Sequence, residues 1–410
     1  MRKFDIPNNY KSNYIQLIKN YRKELDHYKK DFSPTEIDFG KLKIYLARHF
    51  GFCFGVENAI EIAYKVIEEN PGKNIYLLSE MIHNPGVNKD LQKRGVKFII
   101  DRKGNYNITW DEISSDDIVM IPAFGTTLEI EKIIAEKNID TRSYNTTCPF
   151  VEKVWTRSKS LGEKDYTVII HGKAKHEETK ATFSHAKEYS ASVIVRDIEE
   201  TETLIKIIKG EIPQEDFYKI FAGKFSKNFN VEKDLNKIGV VNQTTMLASE
   251  TQAISNKLKE AMIDIYGIEN IDEHFADTGD TLCYATNHNQ QATLELLKTD
   301  ADLAIVVGGY NSSNTSHIVE LLERKFTTYF INDETKIFNK NKISHFDIET
   351  KKEVISNFFL PEKEKVKIVI TSGASCPDTV VENVFLKIHS FFPNAKELDI
   401  ALNDLIGNNL

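Results

Sequence analysis

Ten short apolar runs recur along the chain, at residues 44–47, 75–78, 96–100, 118–121, 168–170, 193–195, 238–241, 303–307, 329–331 and 366–370. Each has the length of a buried strand, and most are followed by apolar positions at helical spacing. Continuous β-branched runs alternating with helices predict an α/β fold, in which parallel sheets are covered on both faces. Two segments break the rhythm. In residues 1–42, Tyr14, Leu17, Ile18, Tyr21, Leu25 and Tyr28 recur at helical spacing until Ser33-Pro34 interrupts them, which predicts an amphipathic helix packed on the body. Residues 205–236 are more polar, with Gly210, Pro213 and many lysines, and read as an inserted helical excursion.

Composition narrows the class. The 410 residues hold 53 Lys plus Arg against 61 Asp plus Glu, a formal charge of −8. A mildly acidic chain lacks the footprint of a nucleic-acid binder. No apolar run approaches the ~18 residues that a membrane helix needs. Four cysteines cannot scaffold a chain of this length, so a reducing, cytoplasmic setting is expected. The first thirty residues lack the apolar core of a signal peptide. They also carry Asp5, Glu24 and Asp26, whereas transit peptides are acid-poor, so neither leader is expected.

The candidate chemistry sits just past the ends of the apolar runs, where ligands of parallel α/β sheets bind. Glu80-Met81-Ile82-His83-Asn84-Pro85 follows one run, and His171-Gly172-Lys173 with His176-Glu177-Glu178 follows another. Asn242-Gln243-Thr244-Thr245, Gly308 through Asn314, and Thr371-Ser372-Gly373-Ala374-Ser375 follow three more. Five such loops point to one shared cavity. Their Gly, Ser and Asn residues suit an anion, because short loops ahead of helices present backbone N–H groups to phosphate. His83 and His176 add charge when protonated. Neither a dinucleotide fingerprint nor a P-loop occurs, so redox chemistry here needs electrons from outside.

Cys53, Cys148 and Cys283 each precede a helical pattern, a placement that favours a thiolate. No Cys-x-x-Cys pair is present, which removes the local zinc and ferredoxin patterns. Three strand-to-helix junctions, one per domain-sized segment, suit an iron–sulfur cluster with one open iron. Cys376, just past the Ser-Gly-Ala-Ser loop, is the weaker candidate for a ligand.

The strings Gly-Phe-Cys-Phe-Gly-Val at 51–56, Ile-His-Asn-Pro at 82–85, Thr-Thr-Cys-Pro at 146–149, His-Glu-Glu-Thr at 176–179, Asn-Gln-Thr-Thr at 242–245, Asn-Ser-Ser-Asn at 311–314 and Ser-Gly-Ala-Ser at 372–375 fall in order. Together they resemble the 4-hydroxy-3-methylbut-2-enyl diphosphate reductases, the last enzymes of the methylerythritol phosphate route to isoprenoids. The resemblance implies a trefoil of three small parallel-sheet α/β units around a central cluster. The expected division is a helical arm at 1–42, units at 43–147, 148–282 and 283–375, and a C-terminal helix and tail at 376–410.

It further implies that Cys53, Cys148 and Cys283 hold a [4Fe–4S] cluster whose open iron takes the substrate hydroxyl. His83, His176, Ser312, Ser313, Asn314 and Ser375 would bind the diphosphate, Thr244 would lie near the hydroxyl, and Glu178 would supply the proton. Glu177 is expected to be a solvated carboxylate. Many bacterial members carry a histidine where this chain has Phe124, so one diphosphate contact is lost or replaced. The Pro-Ala-Phe-Gly string at 122–125 and the 205–236 insertion resemble the plant and cyanobacterial branch, which implies a ferredoxin-like one-electron donor, with flavodoxin as an alternative. Two other readings stay open on the residues alone: a non-redox [4Fe–4S] dehydratase, and a zinc-stabilised phosphate-binding protein.

Overall fold

The computed structural model describes residues 4–141, 144–276 and 281–407; the extreme ends of the expected arm and tail lie outside them. Every one of the ten apolar runs forms a strand. Three sheets have parallel cores. One has five strands in the order Thr35–Asp38, Leu42–Leu46, Val366–Ser372, Leu303–Val307 and Thr327–Ile331, parallel except for its first, antiparallel pair. The second is built from Lys97–Phe98, Ile75–Leu77 and Ile118–Met120, and the third from Ser192–Val195, Thr167–His171, Ile238–Asn242 and Phe275–Ala276. All residues of Thr167–His171, Ile238–Asn242 and Leu303–Val307 are buried. Successive strand side chains point to opposite faces, so these sheets are covered on both sides, as the unbroken β-branched runs predict.

The chain divides into two compact units: residues 1–61, 82–89 and 284–410, and residues 62–81 and 90–283. This differs from the expected division. The strand Leu42–Leu46 does not open a unit with residues 75–121. It pairs in parallel with Val366–Ser372, from Leu42 opposite Val366 to Leu46 opposite Ile370, and so joins the C-terminal sheet. Periodicity marks a buried strand but carries no information about its partner. The last segment holds two helices, Asp378–His389 and Leu398–Gly407, and both contribute to the same core. An antiparallel meander of Ile337–Asn339, Lys342–Asp347 and Lys352–Asn357 is an addition that the apolar runs do not mark.

The N-terminal helix forms at Asn13–Leu25, capped by Ser12, whose hydroxyl accepts the N–H of Ile15 at 2.9 Å. Its buried face is Ile15, Ile18, Tyr21 and Arg22, while Leu17, Leu25 and Tyr28 are exposed. The helix therefore packs on the body as expected but on a rotated face, because it ends before Tyr28 can extend the stripe. The 205–236 segment is helical, with Gln214–Ile220 and Val231–Asp234 following Ile198–Ile208. It is no excursion, however. Phe217, Phe221 and Phe229 are buried in the core of the third sheet, their rings 4.9–5.2 Å from that of Phe217.

Candidate active site

Each of the three candidate cysteines stands immediately before a helix: Phe54–Glu69, Pro149–Gly162 and Tyr284–Leu296. In the second unit, the Cys148 N–H donates to the Ala123 carbonyl at 3.0 Å, and the Cys283 N–H donates to the Thr244 carbonyl at 3.3 Å. Thr244 donates its own N–H to Glu178 Oε1 at 2.5 Å. Glu178 and Thr244 are thus brought together by the ends of two adjacent parallel strands, Thr167–His171 and Ile238–Asn242, with Cys283 held on the Thr244 carbonyl and Cys148 near both Cys283 and Glu178.

Glu178 is 2% exposed, whereas Glu177 beside it is half-buried. Burial pushes the Glu178 carboxyl up to about 7, against the opposing pull of the Thr244 N–H and hydroxyl. Burial pushes the Cys148 thiol up to about 12; the nearby Cys283 and Glu178 add to this, and the N–H groups of Phe150 and Val151 oppose it. Burial alone thus favours the protonated form of Cys148. A coordinating metal ion reverses this, because a ligating thiol loses its proton outright. Adjacent soft sulfur donors therefore fit an iron–sulfur group. Cys376 does not: it is fully buried in the apolar core of the first unit, and burial raises its thiol strongly.

His176 caps the helix Glu177–Ala186, its Nδ1 accepting the Glu178 N–H at 3.2 Å. Phe124 meets the His176 ring edge-on, with centroids 5.8 Å apart.

In the first unit, Cys53 is half-buried and donates its N–H to the Ala374 carbonyl at 3.1 Å. His83 is buried, with Nδ1 3.1 Å from Asn311 Nδ2, and its carbonyl accepts the Ser375 hydroxyl at 3.1 Å. Ser312 caps the helix Ser313–Leu322 by accepting the Thr315 N–H at 3.3 Å, which leaves its own O–H to donate elsewhere. Asn314 Oδ1 accepts the Ala374 N–H at 2.9 Å and Asn289 Nδ2 at 3.4 Å. A backbone N–H can only donate, so the amide orientation is fixed. Asn314 Nδ2 is left buried and without a partner, a donor held ready for an acceptor.

Residue types and motifs do not single out Asn289 or the Ala374 N–H as supports, and the Asn-Ser-Ser-Asn string contains Asn311 without marking it as one. A signal for part of this was present: Gly172 to His176-Glu177-Glu178-Thr179 and Gly308 to Ser312-Ser313-Asn314-Thr315 have the same spacing. The structure repeats it. Glu178 and Asn314 each lie two residues past a helix cap, and each accepts the N–H of the second residue beyond the neighbouring strand.

The family model described as LytB protein matches residues 44–389. The 4-hydroxy-3-methylbut-2-enyl diphosphate reductase of Prochlorococcus marinus (strain AS9601) is 40% identical over 351 residues, covering 85% of this chain and 86% of the relative. That of Picosynechococcus sp. is 38% identical over 354 residues, covering 86% and 85%. A solved E-1-hydroxy-2-methyl-but-2-enyl-4-diphosphate reductase from Plasmodium falciparum shares the fold, with a TM-score of 0.61 at 24% identity over 88% of this chain and 91% of that one. With sequence likeness over most of the length and the fold in common, the chain belongs to the LytB family of 4-hydroxy-3-methylbut-2-enyl diphosphate reductases.

Proposed function

We propose that this chain removes the hydroxyl of 4-hydroxy-3-methylbut-2-enyl diphosphate reductively, giving isopentenyl and dimethylallyl diphosphates and water. The allylic C–O bond breaks, two electrons enter from an external one-electron donor, and two protons are consumed. Cys53, Cys148 and Cys283 hold a [4Fe–4S] cluster in this reading, which when bound supplies single-electron transfer and a Lewis-acidic open iron. The observation that carries the reading is the buried Glu178 carboxyl clamped by Thr244 beside Cys148 and Cys283.

Glu178 keeps a proton near neutral pH because burial disfavours its charged form. The Thr244 N–H fixes Oε1 as an acceptor, so the proton sits on Oε2 and passes to the departing hydroxyl, which leaves as water. His83, His176, Ser312, Ser313, Asn314 and Ser375 take the diphosphate. His83 and His176 each have Nδ1 engaged by an N–H donor, which makes Nε2 the ring nitrogen that carries the proton. Phe124 packs on His176 and cannot donate a hydrogen bond, so the contact made there by a histidine in other members passes to the remaining loops. The donor in this reading is ferredoxin-like, or a flavodoxin. The reading places the chain in a reducing cytoplasm because four cysteines are too few for a disulfide scaffold; among the described residues no helix is long and apolar enough to cross a membrane.

Anaerobic turnover with an artificial one-electron donor tests the assignment. Glu178→Gln is expected to keep the cluster spectrum and substrate binding while slowing turnover ~10²–10⁴-fold. Glu177→Gln should stay near wild type. A large defect at Glu177 with an intact cluster would move the acid by one residue, and turnover without any reductant would replace the reductase by a dehydratase.

A further inference from the structure

The N-terminal arm lies outside residues 44–389 matched by the family model, and nothing in the chemistry above uses it. Its contacts nevertheless converge on one place. The chain leaves the strand Leu42–Leu46, turns at Gly51 and enters the helix Phe54–Glu69 directly after Cys53. Along that loop, the Phe32 ring lies 5.4 Å from His49, and Lys19 Nζ sits 4.6 Å over the ring of Phe50. Tyr10 meets Phe52 edge-on at 5.8 Å, and Phe4 meets Phe54 edge-on at 4.9 Å. Gly51 has a φ of 80°, and a Cβ added there would come within 2.9 Å of Lys19 Nζ. The arm therefore touches His49, Phe50, Gly51, Phe52 and Phe54, the residues on both sides of Cys53.

The arm is itself anchored elsewhere. Ile15 and Ile18 are buried in the core, Ser12 bonds Glu382, Lys19 pairs with Asp378 at 2.7 Å, and the Thr379 hydroxyl donates to the Asn9 carbonyl at 3.0 Å. From the inner side, the loop is pinned by the Gly51 N–H on Ser372 Oγ and the Cys53 N–H on the Ala374 carbonyl, both at 3.1 Å.

We propose that residues 4–32 are a brace on the Cys53 loop, which keeps that thiol on station and so sets how firmly the iron–sulfur group is retained. The proposal rests on Cys53 being an iron ligand. A ligand loop opens locally, and each opening admits a chelator or oxidant to the metal. Aromatic contacts anchored to a separate part of the core shift that opening toward closed.

The test uses anaerobically purified holoenzyme. Iron transfer to an added chelator is followed by loss of the cluster absorbance, and iodoacetamide alkylation of each cysteine is mapped by mass spectrometry after iron removal. A Phe4→Ala, Tyr10→Ala variant is expected to lose iron roughly tenfold faster than wild type. Its Cys53 should also alkylate faster while Cys376 stays protected. A milder Phe4→Leu, Tyr10→Leu variant should shift both rates in the same direction by less. Wild-type rates in both variants would overturn the proposal. Equal acceleration by Leu402→Ala, a buried truncation in the C-terminal helix, would overturn it too, since the effect would then be one of general stability. A wild-type protein devoid of iron would instead remove the reading of Cys53 as a ligand. The Cys53 alkylation rates alone would then decide the brace, faster in the variants if it holds and unchanged if it does not.

Discussion

Glu178 and Asn314 stand at the same place in two copies of one strand–loop–helix unit, and each is clamped by a backbone N–H. The clamp takes one side-chain oxygen as acceptor and turns the other terminal atom into a donor, a neutral amide at Asn314 and a carboxylic O–H at Glu178. That donor is permanent at Asn314 and depends on pH at Glu178. The folded carboxyl titrates near 7 against an ordinary value of 4.5, so its contribution to stability is complete below about 4.5 and is lost as pH rises through about 7. Turnover should fall over the same upper limb, and a pH–rate profile measures it. At Asn314, loss of the donor to a charged oxygen should weaken substrate by ~1.5–3 kcal/mol, read as a raised KM in Asn314→Ala. Asn289→Leu should raise KM by less, and should add nothing in the Asn314→Ala background, because it acts through Asn314. Motifs alone were enough to pick out Glu178 and Asn314, the two residues clamped in this way. They did not reveal the supports, because Asn289 and the Ala374 N–H have no special residue type and meet Asn314 only through helix packing and sheet pairing respectively.

The strands were legible because a strand buried on both faces must be apolar at every position, as Leu303–Val307 and Ile238–Val241 are. Their helices were legible from periodicity, and the cysteine junctions from their position between the two. Pairing was not: nothing in residues 42–46 distinguishes a partner at 75–77 from one at 366–372. The meander escaped notice because its outer strand, Lys352–Asn357, is mostly exposed and polar. The insertion was misjudged by average polarity, since its lysines face outward while every fourth residue from Phe217 to Phe229 is a phenylalanine. That spacing makes it a core element with a measurable cost. Phe217→Ala should lower stability by ~3–5 kcal/mol in thermal or denaturant unfolding. A change below about 1 kcal/mol would return the segment to a surface role.

The three candidate iron ligands come from distant stretches of the chain. No local metal motif joins them, so a cluster can be proposed only from the set of cysteines taken together. Cys53→Ser, Cys148→Ser and Cys283→Ser should each damage the cluster, because a hydroxyl is a poor iron ligand beside thiolates. Cys376→Ala should keep it, because that thiol is packed in an apolar core. The most direct single measurement is iron, sulfide and zinc analysis of the wild-type protein after anaerobic purification. The account predicts iron and acid-labile sulfide in equal amounts with negligible zinc, whereas zinc without sulfide would contradict it and leave a phosphate-binding protein in place of a reductase.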